Sequence, residues 1–259
     1  MKKNKPGAGN SDKQEDLVHF GFRKIPVGEK AGWVLRHFDS VAERYDFSNT
    51  ILSFGIHHLW KRTAIRMMEL KEGASVLDLC GGTGDLAILA TSRIGKAGQV
   101  ILYDINRKMM LTGRLKIIRK GLHDRILYTQ GDAECLSFEE NTFDAAMVGF
   151  GIRNLTNIKK GFEELYRVLK PGGTMMCLEF SRPVSPWFRF LYDIYSFHIM
   201  PLAGGILTGS FQAYNYLPES IRLFPLQDDL VGILEGIGYR NVRYRNLTNG
   251  IAVVHLGKK

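Results

Sequence analysis

The densest chemistry in the chain is one glycine-rich stretch with acids around it, Asp78-Leu79-Cys80-Gly81-Gly82-Thr83-Gly84-Asp85. Asp104 closes the next apolar run 20 residues after Gly84, and Asp132 sits in Gly131-Asp132-Ala133-Glu134. Glycines where a strand turns into a helix let the backbone come close to a ligand, and the helix N-terminus offers unpaired amides. Gly82, Gly84 and Ala87 satisfy the G-x-G-x-x-G/A pattern of dinucleotide sites. The glycines alone therefore leave the ligand open, and a turn that only packs a helix on a strand would look the same. Charge narrows the choice. A dinucleotide brings a pyrophosphate, which an acid at the strand end repels, whereas a nucleoside bearing a cation is attracted.

S-adenosylmethionine is such a nucleoside, with a sulfonium and an amino acid in place of the pyrophosphate. Four acids around one turn, in a chain of formal charge +9, favour this methyl donor over NAD. On this reading Asp104 accepts from the ribose hydroxyls and Asp132 from the adenine amino group. The donor-binding set is then Asp78, Gly82, Thr83, Gly84, Asp104, Asp132 and Ala133.

The elements that must hold these residues can be read from periodicity. Runs at 75–79, 99–104, 125–129, 143–148 and 174–180 have strand character, and 86–93, 107–120 and 158–169 have helical character. Strands alternating with helices argue for βαβ units and a parallel sheet. Near the end, a helix at 227–237 precedes two strand-like runs, 239–247 and 251–256, split by Thr248-Asn249-Gly250. Asn-Gly there predicts a hairpin, and so an antiparallel edge. Before the first strand, 28–70 carries helical stripes, among them Val34, Phe38, Val41, Ala42 and Tyr45. Residues 1–16 are polar and read as a disordered tail, leaving 17–259 as a single domain.

Composition sets the outer limits. With 259 residues, 45% of them hydrophobic, the chain can build a sizeable core. No stretch of about 18 residues is purely apolar, and the amino terminus lacks a signal-peptide core, so the expected location is the cytosol. Three widely spaced cysteines, Cys80, Cys135 and Cys177, fit neither a disulfide framework nor a metal site. No metal is expected at His57 or His58 either, since no Cys or acid stands near them at ligand spacing. The basic excess is thinly spread without interleaved aromatics, so no nucleic-acid partner is expected.

Beyond the turn, two stretches carry a resemblance. One is Tyr45-Asp46-Phe47-Ser48-Asn49, continuing through Ser53-Phe54-Gly55-Ile56-His57-His58-Leu59-Trp60-Lys61-Arg62. The other is Arg167-Val168-Leu169-Lys170-Pro171-Gly172-Gly173, ending in Glu179-Phe180-Ser181. Phe150-Gly151-Ile152-Arg153-Asn154 adds to them. From about residue 35 to the end, the chain resembles the quinone C-methyltransferases of menaquinone and ubiquinone synthesis, within the class I S-adenosylmethionine-dependent methyltransferases. The resemblance implies an α/β fold: a Rossmann-like seven-stranded sheet, mostly parallel, with an antiparallel C-terminal hairpin. An N-terminal helical cover over 28–70 and an aromatic-rich insertion over 181–216 complete it. Two positions depart from the family pattern, Ser48 where Met is usual and Gly149 where many members carry a donor-side Ser.

The resemblance further implies methyl transfer to a ring carbon of a reduced polyprenyl quinone, first demethylmenaquinol and alternatively the ubiquinone-pathway benzoquinol. Gly149 joins the donor-binding set on these grounds. Arg153, Asn154 and Tyr45 are the implied catalytic residues. Arg153 is a permanent cation suited to stabilising a quinolate, with a base role through a bound water as the weaker alternative. Tyr45 and Asn49 are four apart, on one helical face. His57 and His58 are either bases or hydrogen bonders that fix a helix. The insertion is aromatic, with ten such side chains in the 37 positions 180–216 against 11% aromatic overall, which suits a flat ring and a prenyl tail. A further hydrophobic layer or a homodimer contact would look alike. Tyr195, His198 and Tyr214 are its expected substrate contacts. A prenylated substrate lives in a bilayer, so transient contact with an anionic membrane at the inner face of the cell membrane follows as an expectation. Readings in other classes are an RNA or protein methyltransferase, an NAD-dependent oxidoreductase, and a silent donor-binding protein. The first leaves the aromatic insertion unexplained, and the acids and the hairpin end argue against the second.

Overall fold

The chain enters the fold through a hairpin that periodicity did not reveal: Leu17–Phe20 (β1) pairs antiparallel with Arg23–Pro26 (β2). Each strand has only four residues and both are largely exposed, so there is little alternation to read. The computed structural model describes residues 16–208 and 211–259, the side chains of 207–213 excepted. The expected tail thus lies outside the described residues apart from Asp16, whose carbonyl accepts from Val27 N at 2.9 Å.

The helical cover resolves into Lys30–Val41 (α1), Tyr45–Leu52 (α2) and Ile56–Met67 (α3). Then the sheet begins. Ser75–Leu79 (β3), Gln99–Asp104 (β4), Ile126–Gln130 (β5), Phe143–Gly149 (β6) and Leu169–Phe180 (β7) are all parallel. The helices between them are Asp85–Thr91 (α4), Arg107–Arg119 (α5) and Ile158–Val168 (α6). The strand β7 starts at Leu169, five residues before the expected 174, because Leu169 already pairs with Phe143 and a bulge absorbs the Pro171–Gly173 segment. After β7 come four helices, Pro186–Ile194 (α7), Met200–Thr208 (α8), Phe211–Leu223 (α9) and Gln227–Ile237 (α10), with a π-turn Tyr195–Ile199 between the first two. The terminal pair is Arg240–Leu247 (β8) and Ala252–Lys258 (β9), joined by the turn Thr248–Gly250.

The seven strands lie in the order β5-β4-β3-β6-β7-β9-β8. The antiparallel strand is β9, and it is not the edge: it inserts between β7 and β8. Composition explains this. Ala252 to Leu256 are buried, whereas β8 carries Arg240, Arg243 and Arg245 and is mostly exposed, a strand that tolerates an unpaired flank.

Both faces of the sheet are covered, as a parallel sheet requires. Val76, Val100 and Met147 point into a layer with Trp60, Ala64 and Ile65 of α3 and Ala87 and Ala90 of α4. Leu77, Leu79 and Val148 point the other way, onto Phe162 and Leu165 of α6 and Leu230 and Leu234 of α10. The chain leaves β3 toward β4 and β5, then crosses back to β6 on β3's other side. Ligand crevices form at that reversal, outside the carboxyl ends of the strands.

Candidate active site

Two cavities open at this end of the sheet. The first, about 330 Å³, is walled by the turn after β3 and the ends of β4, β5 and β6, with α1 as its roof. The turn works through backbone shape. Gly82 and Gly84 lie at φ +53 and +81, a region that side chains disfavour. Gly84 caps α4, and Gly82 N donates to Asp104 Oδ2 at 2.8 Å. Asn106 N donates to Asp104 Oδ1 at 2.7 Å, so the backbone grips the carboxylate and each oxygen keeps a lone pair for hydroxyl donors. Burial pushes Asp104 up to about 6.

Of the expected donor-binding residues, Gly82, Asp104, Asp132, Ala133 and Gly149 line this cavity. Asp132 sits exposed at the rim and accepts from Glu134 N at 2.9 Å. Asp78, Thr83 and Gly84 do not line it. Asp78 is buried beneath the turn, where Oδ2 accepts from Ala87 N at 3.0 Å and Oδ1 has no partner. Its burial, outweighing that amide, pushes the carboxyl up to about 8. The buried Thr83 hydroxyl donates to Asp46 Oδ1 at 2.6 Å, which ties the turn to α2. Gly84 packs against Leu102 and Ile117. Periodicity locates a turn but not which of its atoms face outward, and that separates these three from the rest. A Ser at 149 would bring its Cβ within 2.5 Å of Leu86 Cδ1, so Gly149 fits the side chain packed behind it. The other departure, Ser48, is buried and donates to Arg44 O at 2.8 Å. An acceptor ready for two hydroxyls, acids at the rim and apolar walls from Ile105, Met109 and Leu155 fit an adenosine with a cationic tail.

The second cavity, about 220 Å³, is apolar and aromatic. Phe38, Tyr45 and Phe150 line both cavities and form the wall between them. Tyr45, at the start of α2, shares a helical face with Asn49 and hydrogen-bonds it, and burial pushes its phenol up to about 12. It stays protonated near neutrality.

Arg153 lies in the short turn Ile152–Asn154 after β6 and faces the aromatic cavity. Its Nη1 donates to Glu179 Oε1 and Phe150 O, both at 2.6 Å, and Nε donates to Ser220 Oγ at 3.3 Å. Glu179 lies 26 residues from Arg153, so the sequence gives no sign of this pairing. It is buried, its Oε2 has no partner, and burial pushes its carboxyl up against the pull of Arg153. Asn154 faces the donor side instead, with Oδ1 accepting from Tyr216 OH at 2.9 Å. It touches the reaction space from the opposite side to Arg153.

The substrate-side expectations divide. Tyr195 and Tyr214 line the aromatic cavity, and Tyr195 OH donates to Leu52 O at 2.5 Å, bracing the insertion against α2. His198 does not line it: in the π-turn it points to solvent. Its aromatic neighbours made it look internal, but the helix turns it outward. His57 lines the cavity, and its Nε2 is 3.2 Å from Thr50 Oγ1. His58 is exposed. His37 lines the cavity too and was not singled out, because a histidine one residue from an apolar stripe gives no motif. Burial, with Arg153 nearby, lowers His37 to about 4, and burial with Lys61 nearby lowers His57 to about 4. Both imidazoles are neutral at pH 7.

A four-residue ionic latch joins the cover to the turn. Lys116 Nζ on α5 reaches Asp46 Oδ2 at 2.7 Å and Asp85 Oδ1 at 2.5 Å, and Lys61 Nζ on α3 reaches Asp85 Oδ2 at 2.7 Å. Burial opposes ionisation of Asp85, but the two ammoniums outweigh it and hold the carboxyl well below its usual range. His57, His58 and Asp85 come within 4.8 Å of one another, a proximity the sequence did not show. A divalent cation there would compete with two ammoniums for the single acid.

Comparison with known proteins agrees with this geometry. A profile of the ubiE/COQ5 methyltransferase family matches residues 26–259. A ubiquinone/menaquinone biosynthesis C-methyltransferase of Legionella pneumophila is 44% identical over 246 residues, 95% of this chain and 98% of that protein. Its counterpart in Escherichia fergusonii is 44% identical over 248 residues, 96% and 99% of the two chains. Among solved structures, an S-adenosylmethionine-dependent methyltransferase from Aquifex aeolicus superposes with a TM-score of 0.55 at 21% identity, over 76% of this chain and 88% of that one. The [4+2]-cyclase SpnF reaches 0.64 at 14% identity, over 87% and 94%, and these two share the fold. The chain belongs to the ubiE/COQ5 methyltransferase family, and S-adenosylmethionine is its methyl donor.

Proposed function

We propose that the chain methylates a ring carbon of a reduced polyprenyl quinone, with demethylmenaquinol as the first substrate and the 2-methoxy-6-polyprenyl-1,4-benzoquinol as the alternative. The observation that carries this reading is the shared wall. A polar nucleoside cleft and an apolar aromatic cavity meet at Phe38, Tyr45 and Phe150, so a methyl held in one faces a ring held in the other.

S-adenosylmethionine supplies an electrophilic methyl on a sulfonium. A quinol hydroxyl must first lose its proton, which raises electron density on the neighbouring ring carbon. That carbon bonds to the methyl as the carbon–sulfur bond breaks, and its own hydrogen then leaves as a proton to restore the ring. Arg153 stabilises the quinolate with the positive charge of its guanidinium. Neutral His37 and His57 line the cavity as hydrogen-bond partners for the ring hydroxyls, since burial beside a cation makes them weak proton acceptors, and the protonated Tyr45 donates to a ring oxygen or to the donor. Aromatic walls keep water out and hold the ring in place, and such orientation lowers barriers by up to roughly 7–11 kcal/mol in model reactions.

The partners on this reading are a membrane-resident prenylated quinol and, transiently, an anionic membrane surface approached from the cytoplasm, with no nucleic acid. No helix among the described residues is long and apolar enough to cross a membrane. The test is methyl incorporation from labelled donor into demethylmenaquinone, reduced and oxidised, and into the benzoquinol. Label in the reduced naphthoquinol and none in its oxidised form is the expected result. Equal labelling of both forms, or of neither, overturns the proposal.

A further inference from the structure

The insertion has two faces, and only one of them serves the cavity. Tyr192 and Tyr195 point inward and line the aromatic cavity. On the outside of α7, Trp187, Phe190, Leu191 and Ile194 are spaced i, i+3, i+4 and i+7, the stripe that a soluble helix normally buries, and all four are exposed. Trp187 is 69% exposed and Phe190 64%, and α7 contains no buried residue. The π-turn carries the stripe on to Ile199, and α8 continues it with Leu202 and Ile206, the last 72% exposed. Helix α2, which packs on α8, adds Phe47 and Ile51 at i and i+4, and Phe54 follows just beyond its C-terminal end. Phe54 is 81% exposed and also lines the cavity, with its ring 6.2 Å from that of Tyr195. The exposed apolar surface therefore reaches the rim of the substrate cavity.

Charge indicates what covers it. Residues 47–68 contain no acid but include the exposed Arg62 and Arg66, Lys61 being buried in the latch with Asp85. Residues 180–218 contain one acid, Asp193, which is paired with Arg222, against Arg182 and Arg189. An exposed stripe of Trp, Phe, Leu and Ile with basic shoulders and almost no acid is the composition of a helix that lies in a membrane interface.

We propose that the outer face of α7 and α8, with Phe47, Ile51 and Phe54 of the α2 segment, lies on an anionic lipid bilayer and opens the aromatic cavity to it. A prenylated quinol would then pass from lipid to cavity past Phe54 and Tyr195 without its tail crossing water. This rests on the prenylated-quinol reading above, and it adds the surface that delivers such a substrate.

The test uses the full chain and the triple variant Trp187→Ser/Phe190→Ser/Ile206→Ser, whose three positions lie outside both cavities. Co-sedimentation is measured with phosphatidylcholine vesicles, with and without phosphatidylglycerol. Methylation is measured on a short-tailed quinol in solution and on a long-tailed quinol embedded in vesicles. The expected result is a loss of at least tenfold in partition to the phosphatidylglycerol vesicles and a matching loss of rate on the embedded quinol, with the short-tailed rate unchanged. Unchanged partition overturns the proposal. So does a parent chain that ignores vesicles but sediments as a dimer which the variant dissociates, since the face would then cover a second copy. No methylation of the short-tailed quinol by the parent would defeat the substrate reading alone, because partition still judges the surface.

Discussion

Arg153 has two duties, and they can be pulled apart. Its guanidinium faces the aromatic cavity while it neutralises the buried Glu179 at 2.6 Å. Removing one partner of a buried pair leaves the other charge stranded, at a cost of about 3–5 kcal/mol. Arg153→Ala should therefore lose most turnover and also melt well below the parent. Arg153→Ala/Glu179→Gln should regain much of the stability and none of the turnover, as read by thermal unfolding beside a methylation assay. Recovered turnover in the double variant would remove Arg153 from the chemistry. Asp104 offers a second measurement. Burial raises its folded pKa to about 6, so it is a carboxylate above that pH and a neutral acid below it. Only the carboxylate accepts fully from two hydroxyls, so donor affinity should be strong at pH 7–8 and fall as pH drops through about 6. Calorimetry across that range reads it, and Asp104→Asn should bind weakly with a much flatter profile.

Helices α2, α3 and α5 act together through the latch. Lys116 ties Asp46 of the cover to Asp85 at the start of α4, and Thr83 adds a hydrogen bond to the same Asp46. These groups are partly exposed, so solvent screening moderates their strength. Lys116→Ala should lower stability by about 1.5–3 kcal/mol, the range for hydrogen bonds to charged groups. It should also raise the donor KM, with faster hydrogen exchange over 45–67 that spares the sheet. Uniform exchange would mean that the cover is held by packing alone. Helix α5 approaches the turn so closely that a Cβ at Gly113 would run into the Thr83 backbone. Backbone cannot step aside as a side chain can. Gly113→Ala should cost about 1–3 kcal/mol by overpacking and weaken donor binding with it, by thermal unfolding and calorimetry, whereas a change at the open Gly232 should do neither.

For the whole molecule the governing quantity is charge, +9 in total, set against an exposed apolar face. If lipid attraction is partly electrostatic, association with anionic vesicles should weaken as salt rises from about 0.05 to 0.5 M, because the screening length shrinks from above 10 Å to a few ångströms. A remainder that survives high salt would measure the apolar stripe, and vesicle co-sedimentation across the salt series separates the two. Insensitivity to salt would assign no role to the basic excess.

The amino-acid sequence by itself determined the alternation of strand and helix, the glycine-rich turn, the acid at the end of the second strand of the sheet, and the family. These are local patterns, set by period, turn chemistry and short motifs that need no knowledge of distant neighbours. Tertiary structure decided what no period records. It sent Asp78, Thr83 and Gly84 beneath the turn instead of onto its surface and turned His198 to solvent. It also placed β9 inside the sheet, because its apolar run needs cover on both faces. It joined Glu179 to Arg153 across 26 residues, and Asp46 to Lys116 across 70. Side-chain direction and long-range pairing depend on which surfaces meet when the core closes, and a chain read one window at a time contains no such surfaces.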